Sequence, residues 1–151
     1  MRRTLATTPR VVERHLDILS HLPNSMDTDS TSHADFPETD PEALERLRRF
    51  GGAKLLGDMI TLFLEAMPQR VGAAKTGLAR GDAHVVEHEL HALKSSAAQL
   101  GAMRLFRLSQ EGERLAKAGT LDAVPDVLGQ LDAEMPRVRE WLTSARSRGT
   151  G

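Results

Sequence analysis

The segment from His91 to Ala102 contains the residues of this chain that are best suited to chemistry. The histidine is followed three positions later by Lys94, then by a run of small residues, and then by Gly101 and Ala102. A neutral imidazole is a competent nucleophile near pH 7. A lysine one helical turn away can partly offset the charge of an anionic group on the ring. The pattern therefore indicates a place where a phosphoryl group can be accepted and handed on.

The composition predicts that helices, and not a sheet, position this segment. The chain has 151 residues, of which 40% are hydrophobic, with four Phe, one Trp and no Tyr. A core of Leu, Ala, Val and Met favours packed helices, and this length allows one domain with a proper core. The absence of cysteine excludes disulfides, thiolate metal sites and cysteine nucleophiles.

The charge and hydropathy patterns argue against a nucleic-acid or membrane partner. The formal net charge is −1, and the Lys and Arg residues are spread along the chain. No apolar run approaches the roughly 18–20 residues of a membrane-spanning helix, and the basic start leads into no hydrophobic block of signal-peptide type. A cytoplasmic protein is expected, and the Ala-, Arg- and Leu-rich composition is compatible with a GC-rich bacterial source.

The chain divides into an N-terminal extension and a helical domain. Residues 1–38 are predicted to be a flexible extension, with a short amphipathic helix over 11–22, because 24–40 is rich in Ser, Thr and Asp. The domain is expected over 39–147, and 148–151 as a disordered C-terminus. An all-α fold is predicted: an antiparallel up-down four-helix bundle preceded by a short lid helix.

Caps and glycines set the expected helix bounds. Asp40-Pro41-Glu42 opens the lid helix, and Gly51-Gly52 ends it. The four long helices are expected over about 53–79 (kinked at Pro68), 83–100, 102–118, and from the turn at Gly119-Thr120 to about 147. Proline 125 leaves the start of the last helix open, and proline 136 is expected to bend it.

Apolar spacing predicts which face of each helix is buried. The inward residues are expected to be Leu55, Met59, Leu62, Phe63 and Ala66 in the first long helix; Val86, Leu90, Leu93, Ala97 and Leu100 in the second; Leu105, Leu108 and Leu115 in the third; Val124, Leu128, Leu131, Met135, Val138 and Leu142 in the last. At 100° per residue, His91 lies roughly 140° from the centre of its stripe. The imidazole is therefore predicted to face outward.

The sequence around His91 resembles the histidine-containing phosphotransfer (HPt) domain of bacterial and fungal phosphorelays. The family pattern is His-x-Leu-Lys-Gly, two small residues, and Leu-Gly-Ala a few positions on; it is matched here by His91, Leu93, Lys94, Ser96, Ala97, Leu100, Gly101 and Ala102. The segments 41–47, 63–68 and 79–83 also resemble the family's opening helix, the helix before the motif and the turn before the phosphohistidine helix. The likeness covers about residues 40–144.

The resemblance implies a role for several residues. His91 matches the phosphorylated histidine, and Lys94 matches a lysine that steadies the phosphoryl group. Glu113 matches a polar position whose side chain can hydrogen-bond the imidazole and select the attacking nitrogen. The receiver-docking surface is expected to include five further residues: Ser95, Ala98, Gly101, Arg104 and Arg107.

Partners and cofactors follow from the same resemblance. A hybrid histidine kinase or a phosphorylated receiver domain would supply the phosphoryl group, and a response regulator receiver would take it from His91. No cofactor is expected in this chain, because the receiver supplies the Mg²⁺. No phosphate-cradling glycine loop is present, so the chain is expected to be a carrier without an ATP site of its own and not an enzyme. A monomer is the family expectation.

Two departures from the family pattern leave alternatives open. Ser95 stands where the family has glycine, which keeps open a binding module that docks receivers or kinases without transferring phosphate. Gly112 replaces a usual leucine, so a core side chain is expected to be missing from the third long helix. A third hypothesis is a metal-binding helical sensor, because His84, His88 and His91 share one helical face.

Overall fold

The computed structural model describes residues 38–150, with side chains described as far as Arg148. Four α-helices occupy this range: α1 (Pro41–Ala79), α2 (Ala83–Leu100), α3 (Met103–Lys117) and α4 (Val124–Thr150). A single 3₁₀ turn, Leu121–Ala123, precedes α4. The predicted helix at 11–22 and the rest of the N-terminal extension up to residue 37 lie outside the described residues.

The helices form the expected antiparallel four-helix bundle. The first helix packs against α2 and α4, and α3 packs against the same two helices, so each helix has two neighbours in the ring. The described residues contain no strand. None of the helices in this part of the chain has the length and apolar content needed to cross a bilayer.

Local sequence signals place the helix starts. Asp40 Oδ1 accepts the backbone N–H of Glu42 at 3.1 Å, with Pro41 in the first turn of α1. Asp82 Oδ1 accepts the N–H of Val85 at 3.1 Å at the start of α2. These caps satisfy donors that a helix N-terminus would otherwise leave unpaired.

The lid helix and the first long helix are parts of one element. Gly52 breaks the helical dihedrals inside α1, with φ 82° and ψ 178°, so the predicted break is present at the glycine pair. Pro68 leaves the helical dihedrals intact, in contrast to the expected kink. The Leu64 carbonyl, which has no N–H partner at Pro68, accepts a long hydrogen bond from Arg139 Nη2 of α4 at 3.4 Å.

The predicted buried face was correct for α2 and wrong for much of α1. All five stripe residues of α2 are buried. In α1, Leu62 is exposed, and Leu55, Met59 and Ala66 are only partly buried. Phe63 is buried as predicted, and the rest of the buried face is formed by Leu56, Ile60, Leu64, Met67, Val71, Ala74 and Gly77. Apolar residues lie on more than one face of α1, so spacing alone did not select the face that meets both α2 and α4.

The buried faces of α3 and α4 agree with the prediction except at their edges. Leu105 and Leu115 of α3 are buried and Leu108 is partly buried, while Met135 is the partly buried member of the α4 stripe. The largest fully buried side chains form one continuous core: Ile60, Met67, Val71, Val86, Leu90, Leu93, Leu100, Leu105, Val124, Leu131, Val138 and Leu142.

The last helix continues beyond its expected end. Its backbone is helical to Thr150, whereas a disordered segment was expected from residue 148. Arg148 Nη1 donates to Ser144 Oγ at 2.9 Å across one helical turn, which extends ordered side-chain contacts past Ser147. The described body begins at Glu38, one residue before the expected boundary.

Candidate functional site

Helix α2 presents His91 on its outer face, as its position relative to the buried stripe requires. The side chain is 59% exposed, and its Nδ1 atom lies 2.8 Å from Glu113 Oε2 of α3. A carboxylate is an acceptor, so the ring nitrogen facing it carries the proton. In the neutral ring, this arrangement leaves the lone pair on Nε2, on the far side of the ring from Glu113.

Glu113 is the buried centre of the site. Its side chain is 6% exposed, and Lys94 Nζ lies 2.6 Å from Oε1, while His91 binds Oε2. Burial opposes ionisation of the carboxyl group, but the hydrogen bonds from Lys94 and His91 outweigh it and lower the pKa of Glu113 below the ordinary value of 4.5. Glu113 is therefore a carboxylate at neutral pH and holds the ring and the lysine together.

Side chains from two neighbouring helices pack closely against Gly112, which has no side chain of its own. A Cβ at this position would lie 2.5 Å from Leu90 Cδ1 and 3.3 Å from Val127 Cγ1. Leu90 of α2 and Val127 of α4 therefore fill the space that the family's leucine would occupy. The core side chain is absent at Gly112 as expected, but the two neighbouring helices pack into the position of its Cβ. This close approach brings α3 against α2 beside Glu113.

The residues predicted to dock a receiver do not share one location. Ser95 and Ala98 are exposed on the same face of α2 as His91. Gly101 is buried at the end of α2, where its carbonyl accepts the N–H of Asp40 at 2.7 Å, so it is not available to a partner.

The sequence predicts that Arg104 and Arg107 flank the docking face around His91. In the structure, Arg104 lies on the side of α3 that faces away from His91. Nine residues separate Arg104 from Glu113, so at about 100° per residue they lie on opposite flanks of α3. Arg104 Nε lies 3.3 Å from the buried carboxylate of Glu134 on α4. Arg107 is half-buried, and burial followed by repulsion from Arg104 lowers its guanidinium pKa. Both arginines are thus directed toward the α3–α4 side of the bundle.

Lys117 is the charged residue at the site that sequence analysis missed. It lies one turn after Glu113 on α3, with Nζ 3.7 Å from Glu113 Oε2. Its spacing of four residues from Glu113 is a signal that helical geometry could have supplied.

The three-histidine row of α2 does not form a metal centre. His84 and His88 are exposed along the same face as His91. Within residues 38–150, no group of three or more His, Cys, Asp or Glu side chains is arranged to hold a metal ion. In the described residues, the row of histidines on α2 is therefore not arranged as a metal site.

Comparisons with known proteins bear on the family and the fold of this chain. The sequence model of the Hpt domain matches residues 58–141, more than half of the chain. The crystal structure of histidine-containing phosphotransfer protein B (HptB) from Pseudomonas aeruginosa PAO1 is similar, with a TM-score of 0.70 and 25% identity. The similarity covers 74% of this chain and 96% of that one. No curated protein matches this chain.

Proposed function

The chain belongs to the Hpt-domain family, whose role is histidine phosphotransfer in phosphorelays, and from that premise we propose that His91 is its phosphoryl-carrying residue. The observation that supports this assignment is the 2.8 Å contact between His91 Nδ1 and the buried carboxylate of Glu113, which directs Nε2 of an exposed ring outward. The donor is the phosphorylated aspartate of a receiver domain, and a second receiver is the acceptor.

The transfer step exchanges one bond to phosphorus for another. The Nε2 lone pair of the neutral ring attacks the phosphorus of the receiver's aspartyl phosphate in line. The N–P bond forms as the P–O bond to the aspartate breaks, and its electron pair returns to that carboxylate. The Nδ1 proton stays on the ring, so the ring gains positive charge beside Glu113. Transfer to the second receiver reverses these bond changes.

Glu113 and Lys94 support this step by electrostatics. An oriented carboxylate stabilises the imidazolium character that develops on His91 and keeps Nε2 free, as in triads that combine a nucleophile, a histidine and an acid. Lys94 has three N–H donors, of which one meets Glu113 at 2.6 Å, so others remain for a phosphoryl oxygen. The Mg²⁺ belongs to the receiver, and this chain contributes a nucleophile, charges and a docking face.

The exposed side of α2 is suited to a large partner. Ser95 and Ala98 lie one and two turns beyond His91 and have short side chains, so a globular receiver can approach the ring closely. We propose that these two residues, together with His91, lie beneath the docked receiver. Serine in place of the family's glycine adds only a hydroxymethyl group at this exposed position.

The test uses a phosphorylated receiver domain as donor, taken in turn from the receivers of the source genome. Wild-type protein should acquire phosphate that is labile to acid and stable to base, and His91→Gln should acquire none. Equal labelling of His91→Gln, or no labelling of the wild type by any receiver, would remove the assignment. A wild type that binds receivers, remains unlabelled and loses nothing in His91→Ala would instead identify the binding module.

A further inference from the structure

We propose that the Ser95 hydroxyl donates a hydrogen bond to the phosphoryl group carried on His91, from the side of the ring opposite Lys94. The inference rests on the proposed function and adds a residue to the same site. Ser95 is the position at which this chain departs from the family pattern, which has glycine there. Because glycine has no side chain to donate, this hydrogen bond is particular to a chain with serine at this position.

Two adjacent serines of α2 differ in what their hydroxyl groups bind. Ser96 Oγ donates to the Ala92 carbonyl at 3.1 Å, one turn back along the helix, which is a common way for a helical serine to satisfy its hydroxyl. Ser95 is exposed, and among the described residues its hydroxyl has no hydrogen-bond partner. The Ser95 donor is therefore available to a group that arrives from solvent, whereas the Ser96 donor is already used.

Lys94 and Ser95 flank His91 on opposite sides of the outer face of α2. Successive helical residues are about 100° apart, so Lys94 lies roughly 60° to one side of His91 and Ser95 roughly 40° to the other. Residues four apart are neighbours on a helix surface, with Cβ atoms about 5–6 Å from each other. A group bound to the ring therefore has the lysine on one side and the hydroxyl on the other.

The hydrogen bond to Glu113 turns the ring so that Nε2 faces the Ser95 side. His91 Nδ1 lies 2.8 Å from Glu113 Oε2, and Lys94 Nζ lies 2.6 Å from Oε1 of the same carboxylate, so Glu113 is on the Lys94 side of the histidine. The two ring nitrogens point in roughly opposite directions. A phosphoryl group on Nε2 consequently lies toward Ser95, where an O–H donor can meet one of its oxygens at about 2.5–3.0 Å.

The hydroxyl contributes a donor without adding a charge. A phosphoryl group brings about two negative charges and three strong acceptor oxygens, which is more than one lysine can satisfy. Lys94 also keeps a contact with Glu113. Hydrogen bonds to charged acceptors are stronger than those to neutral ones. The Ser95 hydroxyl is therefore expected to favour the dianionic phosphoryl form over the monoanion.

The experiment phosphorylates the full chain with phosphoramidate, a small chemical donor that needs no receiver, and measures the pH midpoint of the phosphohistidine resonance by ³¹P NMR. A small donor keeps the measurement independent of how a receiver packs against Ser95. Loss of a donor to the dianion makes the phosphoryl group harder to ionise, so Ser95→Ala should raise the midpoint by about 0.3–0.5 unit. Ser95→Thr retains a hydroxyl and should keep the wild-type midpoint.

Ser96→Ala is the matched control on the same helix. It removes an identical hydroxyl from the adjacent residue, but that hydroxyl is bound to the Ala92 carbonyl. The gain in helix propensity from serine to alanine is the same in both variants. Ser96→Ala should therefore keep the wild-type midpoint, and a difference between the two alanine variants reports on the position of the hydroxyl.

Three results would overturn the inference. They are a midpoint in Ser95→Ala equal to that of the wild type, an equal shift in Ser96→Ala, and a midpoint in Ser95→Thr equal to that of Ser95→Ala. If the wild type shows no phosphohistidine signal at His91, the proposed function itself fails, and this is seen before Ser95 is changed.

Discussion

The side chain that organises the site is Glu113, which is bound by both His91 and Lys94. Its carboxylate is buried, yet it is ionised because Lys94 and His91 both bind it. A buried carboxylate is tolerated only when its charge is compensated. The same contacts that compensate it fix the imidazole in one orientation and one tautomer. Stability and reactivity of the site thus depend on one hydrogen-bonded group.

Substitution of Glu113 should separate the effect of its negative charge from the effect of its hydrogen bond to His91. In Glu113→Gln the amide oxygen can still accept the Nδ1 proton of His91, whereas Glu113→Ala removes both the charge and the acceptor. We expect the rate of His91 phosphorylation to fall by about 10-fold or more in Glu113→Ala, with a smaller loss in Glu113→Gln. Single-turnover labelling by phosphoramidate measures this, and equal rates in all three proteins would contradict it.

The lowered pKa of Glu113 predicts a specific dependence of stability on pH. Burial acts against the charged form, and the hydrogen bonds from Lys94 and His91 more than offset it, so the folded-state pKa lies below the ordinary 4.5. The ionised group therefore stabilises the fold fully above pH 4.5, and this contribution disappears as the pH falls through the folded-state pKa.

Urea unfolding of wild type and Glu113→Gln tests this sign. The wild type should be the more stable protein at pH 6–7, and the two should converge as the pH falls below about 4.5. A constant difference across this range, or a wild-type advantage that grows on acidification, would show that the folded-state pKa is not depressed.

At the scale of the helices, Gly101 does two tasks that the sequence motif does not distinguish. It ends α2 in the left-handed region, with φ +81°. It also lies directly against the backbone of Asp40, the residue that precedes α1. A Cβ on Gly101 would overlap the Asp40 carbonyl oxygen and crowd Ala43. Gly101 therefore joins the end of α2 to the start of α1.

Gly101→Ala should lower the free energy of unfolding by at least about 2 kcal/mol, because the cost of positive φ and the overlap with Asp40 add. Gly119 is the matched control, since it has φ +76° but nothing within 4 Å of an added Cβ. Gly119→Ala should cost about 1 kcal/mol. Chemical denaturation measures the loss in free energy of unfolding for both variants. Equal losses would show that the contact between Gly101 and Asp40 does not contribute.

Helix-interior glycines give a second contrast between packing and propensity. Gly72 of α1 is exposed with nothing within 4 Å of an added Cβ, whereas at Gly112 of α3 the Cβ would lie 2.5 Å from Leu90. Gly72→Ala should stabilise the protein by about 0.5–1 kcal/mol. Gly112→Ala should destabilise it by about 1 kcal/mol or more, because displacement of a buried leucine outweighs the gain in helix propensity. Thermal unfolding distinguishes the signs, and stabilisation by both substitutions would disprove the tight contact.

Sequence analysis located the helices well because caps and glycines act locally. Asp40, Asp82 and Gly101 mark ends that the structure reproduces within a residue or two. The faces of α1 and the direction of Arg104 were predicted wrongly, since they depend on which helices lie on either side. The same limit applies at the site: the contact between His91 of α2 and Glu113 of α3 depends on the register between the two helices, which residue spacing within one helix does not specify.

At the scale of the whole described body, a three-residue strap joins the start of the fold to three of its helices. The Glu38 carbonyl accepts the N–H groups of Met103 and Arg104 at 3.0 and 3.2 Å, and Asp40 N–H donates to the Gly101 carbonyl. The Glu38 carboxylate lies 3.1 Å from Arg137 of α4. The strap is therefore the N-terminal cap of α3, whose own N-cap residue, Ala102, provides no side-chain hydrogen bond.

This arrangement predicts that residues 38–40 are part of the folding unit. A chain that begins at Pro41 loses the Glu38 carbonyl that accepts from Met103 and Arg104 and also the Asp40 cap of α1, so it should melt about 5 °C or more below a chain that begins at Glu38. Glu38→Ala in the full chain removes only an exposed ion pair and keeps the carbonyl, and its melting temperature should change far less. Calorimetry of these three proteins and of the unaltered full chain tests this. If the two truncated chains melt together, or if Glu38→Ala accounts for the whole difference, then the backbone cap contributes nothing and α3 is held by side-chain packing alone.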